Sequence, residues 1–495
     1  MKKTTLLFLC VFVMLLGLPL MAGAVDYGQT PAIPDFGPSQ AFVKAGDLSV
    51  RIVAPQHQFR LAQNEELVLS GRAADRYGAL DESELEWYSD LDGLLGTGRD
   101  VRLTSLSLGV HRITLAAGGL EASVELAVYA QAWTVLIYIC GDNDLEPYAI
   151  ADVNEMEQIG SDANVNIAIV LDRITGYDTS NGNWTDSRSF YVTKDTNTST
   201  ITSQYLGTWG ELAMDDPASL EAFMKHGITT YPAARYALII WDHGSGWSKK
   251  QTVFKGAASD FTSGYYTELE IWEVRAAMRS ALDQLGLAKI DLLAYDACLM
   301  GMLEVGYEAR NEANYFVASE ETEPGDGYEY QRWLASLAAN PTATGYQLGQ
   351  YLVSAYYGRS YSTLSAADLS KTANLTAAVN NLAQALINAL PAYKSKISTA
   401  RNKTKKFYDP SYLDLYNFCA NLQKQSVPAA VKTAAANVQT AIGSYIIARG
   451  GTATNSYGVS IWFPSTYNAT LMSSYVNNSQ FGYDNLWWDF LDTYF

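Results

Sequence analysis

Six short runs of almost unbroken apolar residues recur along the chain: WTVLIYI (133–139), VNIAIVL (165–171), YALIIW (236–241), IDLLAY (290–295), YFVAS (315–319) and GVSIWF (458–463). A strand with one wet face alternates polar and apolar residues, whereas a strand covered on both faces does not, and double covering calls for helices above and below a mainly parallel sheet. The runs, separated by stretches of helical periodicity, therefore predict an α/β domain over residues 131–495 with a six-stranded sheet and flanking helices. A long Ala- and Leu-rich, Pro-poor stretch from about Ala366 to Arg449 reads as amphipathic helices inserted before the last strand.

The texture before residue 131 is different. LSVRIVAP, ELVLSGRA, LEWYSD, DVRLTSL, HRITLAA and ASVELAVYA are short alternating segments split by turns such as DLDGLLGTGRD. They predict a β-sandwich over 41–130, with Trp87 in a strand and no cysteine pair, and the WYSDLDGLLGTG run resembles bacterial immunoglobulin-like modules. Spacing or adhesion is the role expected of it, and His57 and His111 within it read as structural. The chain opens with MKKTTLLFLCVFVMLLGLPLMAGA, two lysines, an apolar run, Pro19 and a small-residue end, which is the pattern of a signal peptide over 1–24, followed by a linker over 25–40. An uncleaved membrane anchor is the rival reading. Cleavage implies a secreted, periplasmic or cell-surface protein with no transmembrane segment in the mature chain.

Loss of that leader removes two lysines and no acid, taking the formal charge from −18 to −20. So acidic a protein is a poor partner for nucleic acid. Cys140, Cys298 and Cys419 then remain, an odd number for an oxidising compartment. Cys419 reads as core packing; Cys140 reads either as a small core residue or as a partner for Cys298.

Ligands of an open parallel sheet bind where the carboxyl ends of the strands release their loops. Those loops are CGDNDLEPY, DRITGYD, DHGSGW, DACLMG and EETEPGDGYEY. Two of them place His243 and Cys298 at matching positions, so the imidazole and the thiol lie side by side if their strands are neighbours. A positioned imidazole can take the thiol proton and return it to a leaving group. Gly244 lets backbone approach a substrate, and the N–H groups of Gly244 and Cys298 are candidate oxyanion donors. Cys298 also begins a helix-like stretch, CLMGMLEVGYEA, whose amino terminus would favour thiolate. Ser245 sits too close to His243 in the chain for a nucleophile–base pair, and no His-Glu-x-x-His set is present. His226, at a helix end, is not the base.

IIWDHGSGW followed by LLAYDACLMGMLEV, with WTVLIYICGDNDLE upstream and ASEETEPGDGY downstream, resembles the clostripain family of cysteine peptidases, in the clan of caspases, legumain and gingipains. The resemblance runs from about Trp133 to Tyr330, continues more weakly to the end of the chain, and excludes the amino-terminal module. It implies a caspase-like fold, Cys298 as nucleophile, His243 as general acid and base, and cleavage of protein or peptide substrates after Arg or Lys.

The acidic loop after the fifth run supports that preference, because a pocket carboxylate leaves itself unpaired unless a cationic side chain enters. Asp326, between two glycines, is the first candidate for the pocket floor and Asp296 the second. The chemistry needs no cofactor; Asp142 and Asp144 form a weak calcium candidate, with a helix cap as the other explanation. Lys249, Lys250 and above all Lys255, in the loop after His243, are candidate self-cleavage sites. A single chain is expected to act alone. The competing reading is a catalytically silent peptidase fold used for surface binding.

Overall fold

The computed structural model describes Pro34 and residues 36–247, 257–262, 268–356 and 362–495. The segment 1–24 and the three lysines 249, 250 and 255 lie outside the described residues.

Residues 42–129 form two packed five-stranded sheets. The alternation predicted from sequence is visible in the burial: Val50, Leu69, Trp87, Ile113, Leu115 and Val124 point into one core, and Trp87 satisfies its indole N–H on the Gly98 carbonyl at 2.9 Å. His111 is buried between Ser89 and the Ser107 carbonyl, and His57 accepts from the Glu125 N–H, so both histidines serve the sandwich itself.

The second unit is built on one sheet of nine strands: β1 (Trp133–Gly141), β2 (Val165–Arg173), β3 (Ser187–Tyr191), β4 (Gln204–Gly210), β5 (Arg235–Trp241), β6 (Ile290–Asp296), β7 (Ala313–Ala318), β8 (Thr363–Asp368) and β9 (Ile446–Gly451). Their order is β4-β3-β2-β1-β5-β6-β7-β8-β9. The five central strands are parallel, and antiparallel pairs close both edges. The expected six-stranded sheet is thus corrected twice. Four edge strands join it that carry no apolar run, and the sixth run leaves it: Ser460–Trp462 pairs with Tyr412–Asp414 in a separate two-stranded ribbon. A buried apolar run of six residues specifies burial, not which sheet receives it. The helical insertion is also narrower than expected. Residues 363–368 and 446–451 are strands, and the helices between them begin at Thr372 and end at Tyr445.

Both faces of the central strands are covered, which is why their sequences do not alternate. Leu136, Tyr138, Leu238 and Ile240 pack under helices Pro217–Thr230 and Ile271–Leu285. Val135, Ile137, Ile139 and Ile239 pack under helices Glu146–Glu157, Tyr330–Ala339 and Gly345–Ala355. The sandwich docks at the amino ends of the parallel strands: Arg60 reaches Asp291 at 3.4 Å and lies over the Tyr236 ring, while Glu65 pairs with Arg235. Among the described residues no helix is long and apolar enough to cross a membrane.

Candidate active site

β5 and β6 are neighbours in parallel register, with Trp241 opposite Asp296. His243 and Cys298 each follow two residues later, so adjacent strand tips present them side by side. The Asp242 N–H donates to the Asp296 carbonyl at 3.2 Å, tying the two tips together.

Each residue after His243 has a local reason. A Cβ on Gly244 would lie 2.2 Å from the Cys298 carbonyl oxygen and 2.8 Å from its nitrogen. The close approach of the cysteine backbone therefore requires a glycine here, and the same residue lines the cavity. Gly246 has φ +77°, and a Cβ there would strike Met302 and Tyr412. The Tyr412 hydroxyl donates to the Ser245 carbonyl at 2.6 Å, and Trp247 is buried against Trp462 and Tyr475. The displaced sixth apolar run is thus the anchor for the histidine loop.

The cysteine loop is strapped to the loop after β7 by Leu299 N–H to the Glu321 carbonyl (3.1 Å) and Gly301 N–H to the Ser319 carbonyl (2.6 Å). Leu299 adopts φ +66°, an uncommon conformation for a branched residue that the straps hold in place. The nearest helix begins at Leu303, so Cys298 does not stand at a helix amino terminus. Burial pushes its thiol up to about 11; the Glu323 N–H, 3.2 Å from Sγ, acts in the opposite direction, and the fields of Asp296, Glu321 and Asp242 reinforce the rise. That upward shift runs against the thiolate that the helix reading implied. Burial lowers the basicity of His243, but its hydrogen bond to Asp144 and the charges of Asp242 and Asp144 outweigh this and leave it above its ordinary value. Burial raises Asp242 to about 7.

Both residues open onto a cavity of about 600 Å³. Asp296, Glu323 and Gly327 line it together with Tyr408, Asp409 and Pro410, which arrive from the helical insertion. Asp296 is buried, and its Oδ2 accepts from the Tyr328 N–H (3.1 Å) and the Tyr330 hydroxyl (2.9 Å). A Cβ on Gly327 would sit 2.6 Å from Asp296 Oδ1, so the glycine keeps that side clear. Asp326, the first candidate for the pocket floor, is exposed and outside the cavity lining. The glycines beside it form a tight turn whose inward residue is Gly327, and the turn sends the aspartate outward. Of the other acids in that loop, Glu320 accepts from the Gly458 N–H and Glu321 pairs with Lys405.

Asp142 and Asp144 diverge. Asp144 Oδ1 meets His243 Nε2 at 2.9 Å. Asp142 turns the other way and joins Glu211 and Asp260, with ligand atoms within 4.8 Å of one another. Asp144 is therefore not a partner of Asp142 in an ion site, and the cap of the following helix is Leu145, which makes no side-chain cap bond. Cys140, Cys298 and Cys419 are all free thiols, which removes the Cys140–Cys298 pairing. His226 stacks edge-on against Trp209, away from the cavity lining.

The family model describing the clostripain family matches residues 137–494. The chain belongs to the clostripain family. As such it is a cysteine endopeptidase. Clostripain of Hathewaya histolytica is 25% identical over 407 residues, 68% of this chain and 75% of that protein. A secreted C11 cysteine protease from Bacteroides thetaiotaomicron, solved with an irreversible peptide inhibitor, superposes with a TM-score of 0.55 at 21% identity, covering 72% of this chain and all of that one. An inactive zymogen C11 protease from Parabacteroides distasonis gives 0.55 at 19% identity, over 72% and 98% of the respective chains. The family domain begins within β1, so the sandwich stands outside it.

Sequence reasoning missed Tyr408, Asp409 and Pro410, because they lie more than a hundred residues after the cysteine in a region read as wholly helical. The KKFYDPS stretch (405–411), with its Asp-Pro pair, breaks the helical pattern and was the available signal.

Proposed function

We propose that this clostripain-family peptidase uses Cys298 as nucleophile and His243 as general base and acid, and that it cleaves after Arg or Lys with Asp296 recognising the basic side chain. The observation that carries this reading is the convergence of His243, Cys298 and Asp296 on one cavity at two adjacent strand tips. His243 takes the Cys298 proton as Sγ attacks the scissile carbonyl, then gives it to the departing amine as the C–N bond breaks. Water hydrolyses the resulting thioester with His243 again as base. The N–H groups of Gly244 and Cys298 are the proposed donors to the oxyanion. Asp296 is suited to a cation because hydrogen bonds fix one carboxylate oxygen, and so aim the whole group, before substrate arrives.

Fluorogenic peptides ending in Arg, Lys, Asp and Leu test both parts. Cys298→Ala and His243→Ala abolish turnover, and Asp296→Asn penalises the basic peptides selectively while Asp326→Asn does not. Native turnover by Cys298→Ala, or equal turnover of acidic and basic peptides by the parent enzyme, overturns the reading.

Export after the leader, with the sandwich as an immunoglobulin-like spacer, completes the proposal; it is supported by the opening lysine, apolar and small-residue pattern. Self-processing at Lys255, Lys250 or Lys249 is supported by their place in a polar segment directly after the histidine loop. A nick there that forms in the parent enzyme and not in Cys298→Ala tests it. The proposed calcium ion, structural or activating rather than chemical, fits Asp142, Glu211 and Asp260. Asp142 Oδ1 and the neighbouring Asp172 Oδ2 are buried without a hydrogen-bond donor, and burial with mutual repulsion raises Asp142 to about 6 and Glu211 to about 7. Hard oxygen ligands of this kind suit calcium. A melting temperature raised by calcium in the parent, but not in Asp260→Asn, is the expected result; no shift in either removes the ion.

A further inference from the structure

We infer that Asp144 is a positioning residue that makes the dyad a triad, its carboxylate holding the Nε2–H of His243 so that Nδ1 faces the thiol proton. This rests on the Cys298–His243 reading above and deepens it.

The contact is direct: Asp144 Oδ1 lies 2.9 Å from His243 Nε2. An ionised carboxylate only accepts, so Nε2 is the donor, and the neutral ring then carries its lone pair on Nδ1. The side chain of Asp144 is 43% exposed, and an exposed ion pair of this kind adds little to stability. Its value lies in aim, and the loop around it is built for that. Asn143, one residue earlier, donates from Nδ2 to the Cys140 carbonyl (2.9 Å), Asp242 Oδ1 (2.7 Å) and the Ser259 carbonyl (3.1 Å). Its Oδ1 accepts from the Leu145 N–H at 2.8 Å. Asp142 accepts from Phe261 through its backbone carbonyl and from Thr262 through Oδ2. Both flanks of Asp144 are therefore clamped, and Glu146 begins a helix immediately beyond. Three successive side chains of one loop thus reach the 259–262 segment and the histidine loop, and the middle one joins both, through Ser259 and through Asp242, the residue that precedes the histidine.

Among the described residues, the charged and titratable groups beside His243 or lining its cavity are Asp242 on its own loop, Asp144 from the loop after β1, Cys298 and Asp296 from the β6 tip, Glu323 from the loop after β7, and Tyr408 and Asp409 from the insertion. Asp144 is the one whose carboxylate hydrogen-bonds the ring, while Asp242 acts on it through its charge. During acylation the thiol proton moves to Nδ1, the imidazolium shares its Nε2–H with Asp144, and the same proton leaves Nδ1 for the amine. No proton passes to Asp144.

The test is the pH dependence of kcat/KM for an Arg-ending peptide in the full chain, for the parent, Asp144→Asn, Asp144→Glu and His243→Ala. Asparagine keeps an acceptor and loses the charge, so kcat/KM falls by about a hundredfold, the lower end of general acid–base contributions. The fall is in kcat rather than KM, the acidic limb moves to lower pH, and Asp144→Glu recovers part of the rate. An Asp144→Asn enzyme with parental rate and an unmoved limb overturns the inference, while His243→Ala is still inactive. Full activity of His243→Ala would instead bring down the dyad beneath it.

Discussion

The two ends of the parallel strands treat charge in opposite ways. At the amino ends, Arg60 faces Asp291 and Arg235 faces Glu65, opposite charges shared between the sandwich and the sheet. At the carboxyl ends, Asp142, Asp172, Asp242 and Asp296 are buried near one another, and their nearest donors are hydroxyl, amide and backbone groups. Among the described residues the cations at this end are already paired, Arg173 with Glu146 at 2.6 Å on the β2 side and Lys405 with Glu321 at 3.5 Å. Like charges gathered in low dielectric cost stability and are retained where they do chemistry. The amino end fixes the architecture, and the carboxyl end holds the groups whose proton affinities are displaced.

That contrast can be broken at either end. The largest effect is expected from Gly244→Ala, which drives a Cβ into the Cys298 carbonyl: activity falls by on the order of a hundredfold or more, read as kcat/KM, with a modest loss of melting temperature. Unchanged kcat/KM would mean that the two loops are not in contact. Next, Asp296→Asn lowers kcat/KM for Arg and Lys peptides by about a hundredfold, as expected when a buried charge partner is removed, and leaves a Leu-ending peptide nearly unaffected; an equal loss on all peptides would make Asp296 structural. The pH profile follows. Burial disfavours the thiolate, so the proposed reaction uses a neutral His243 to accept the thiol proton. Activity is then lost as pH falls through the raised histidine value, and the midpoint of the acidic limb lies above the ordinary 6.5; a midpoint at or below that value would contradict the assigned environment. The smallest effect on catalysis comes from the other end: Arg235→Ala destabilises the fold by about 2 kcal/mol by chemical denaturation with kcat/KM unchanged. Lost activity with unchanged stability there would dissolve the distinction.

The parts legible in the sequence were those set by double burial and by strand-tip chemistry. VLIYI, IAIVL and ALIIW read as central strands because both faces are covered, and the DHG and DAC tips fell on neighbouring strands as their matching positions required. The edge strands were not legible. Ser187–Tyr191 and Gln204–Gly210 have one wet face and Thr363–Asp368 is built of small residues, so none stands out by hydrophobicity. Asp326 misled because its flanking glycines signal a turn but not which residue the turn turns inward. Asp144 misled because Asp-x-Asp on an irregular loop does not say which side each carboxylate faces; only the clamped Asn143 between them does.

The central claim is that Cys298, with His243 and Asp296, is the reacting centre. Its most direct test is to treat the full chain with irreversible peptide inhibitors ending in Arg or Asp and to map the adduct by peptide mass spectrometry. The account predicts a single adduct on Cys298 from the Arg inhibitor, strongly reduced in His243→Ala and Asp296→Asn, and none from the Asp inhibitor. Inactivation with the adduct on Cys140 or Cys419, or equal labelling by both inhibitors, would contradict it.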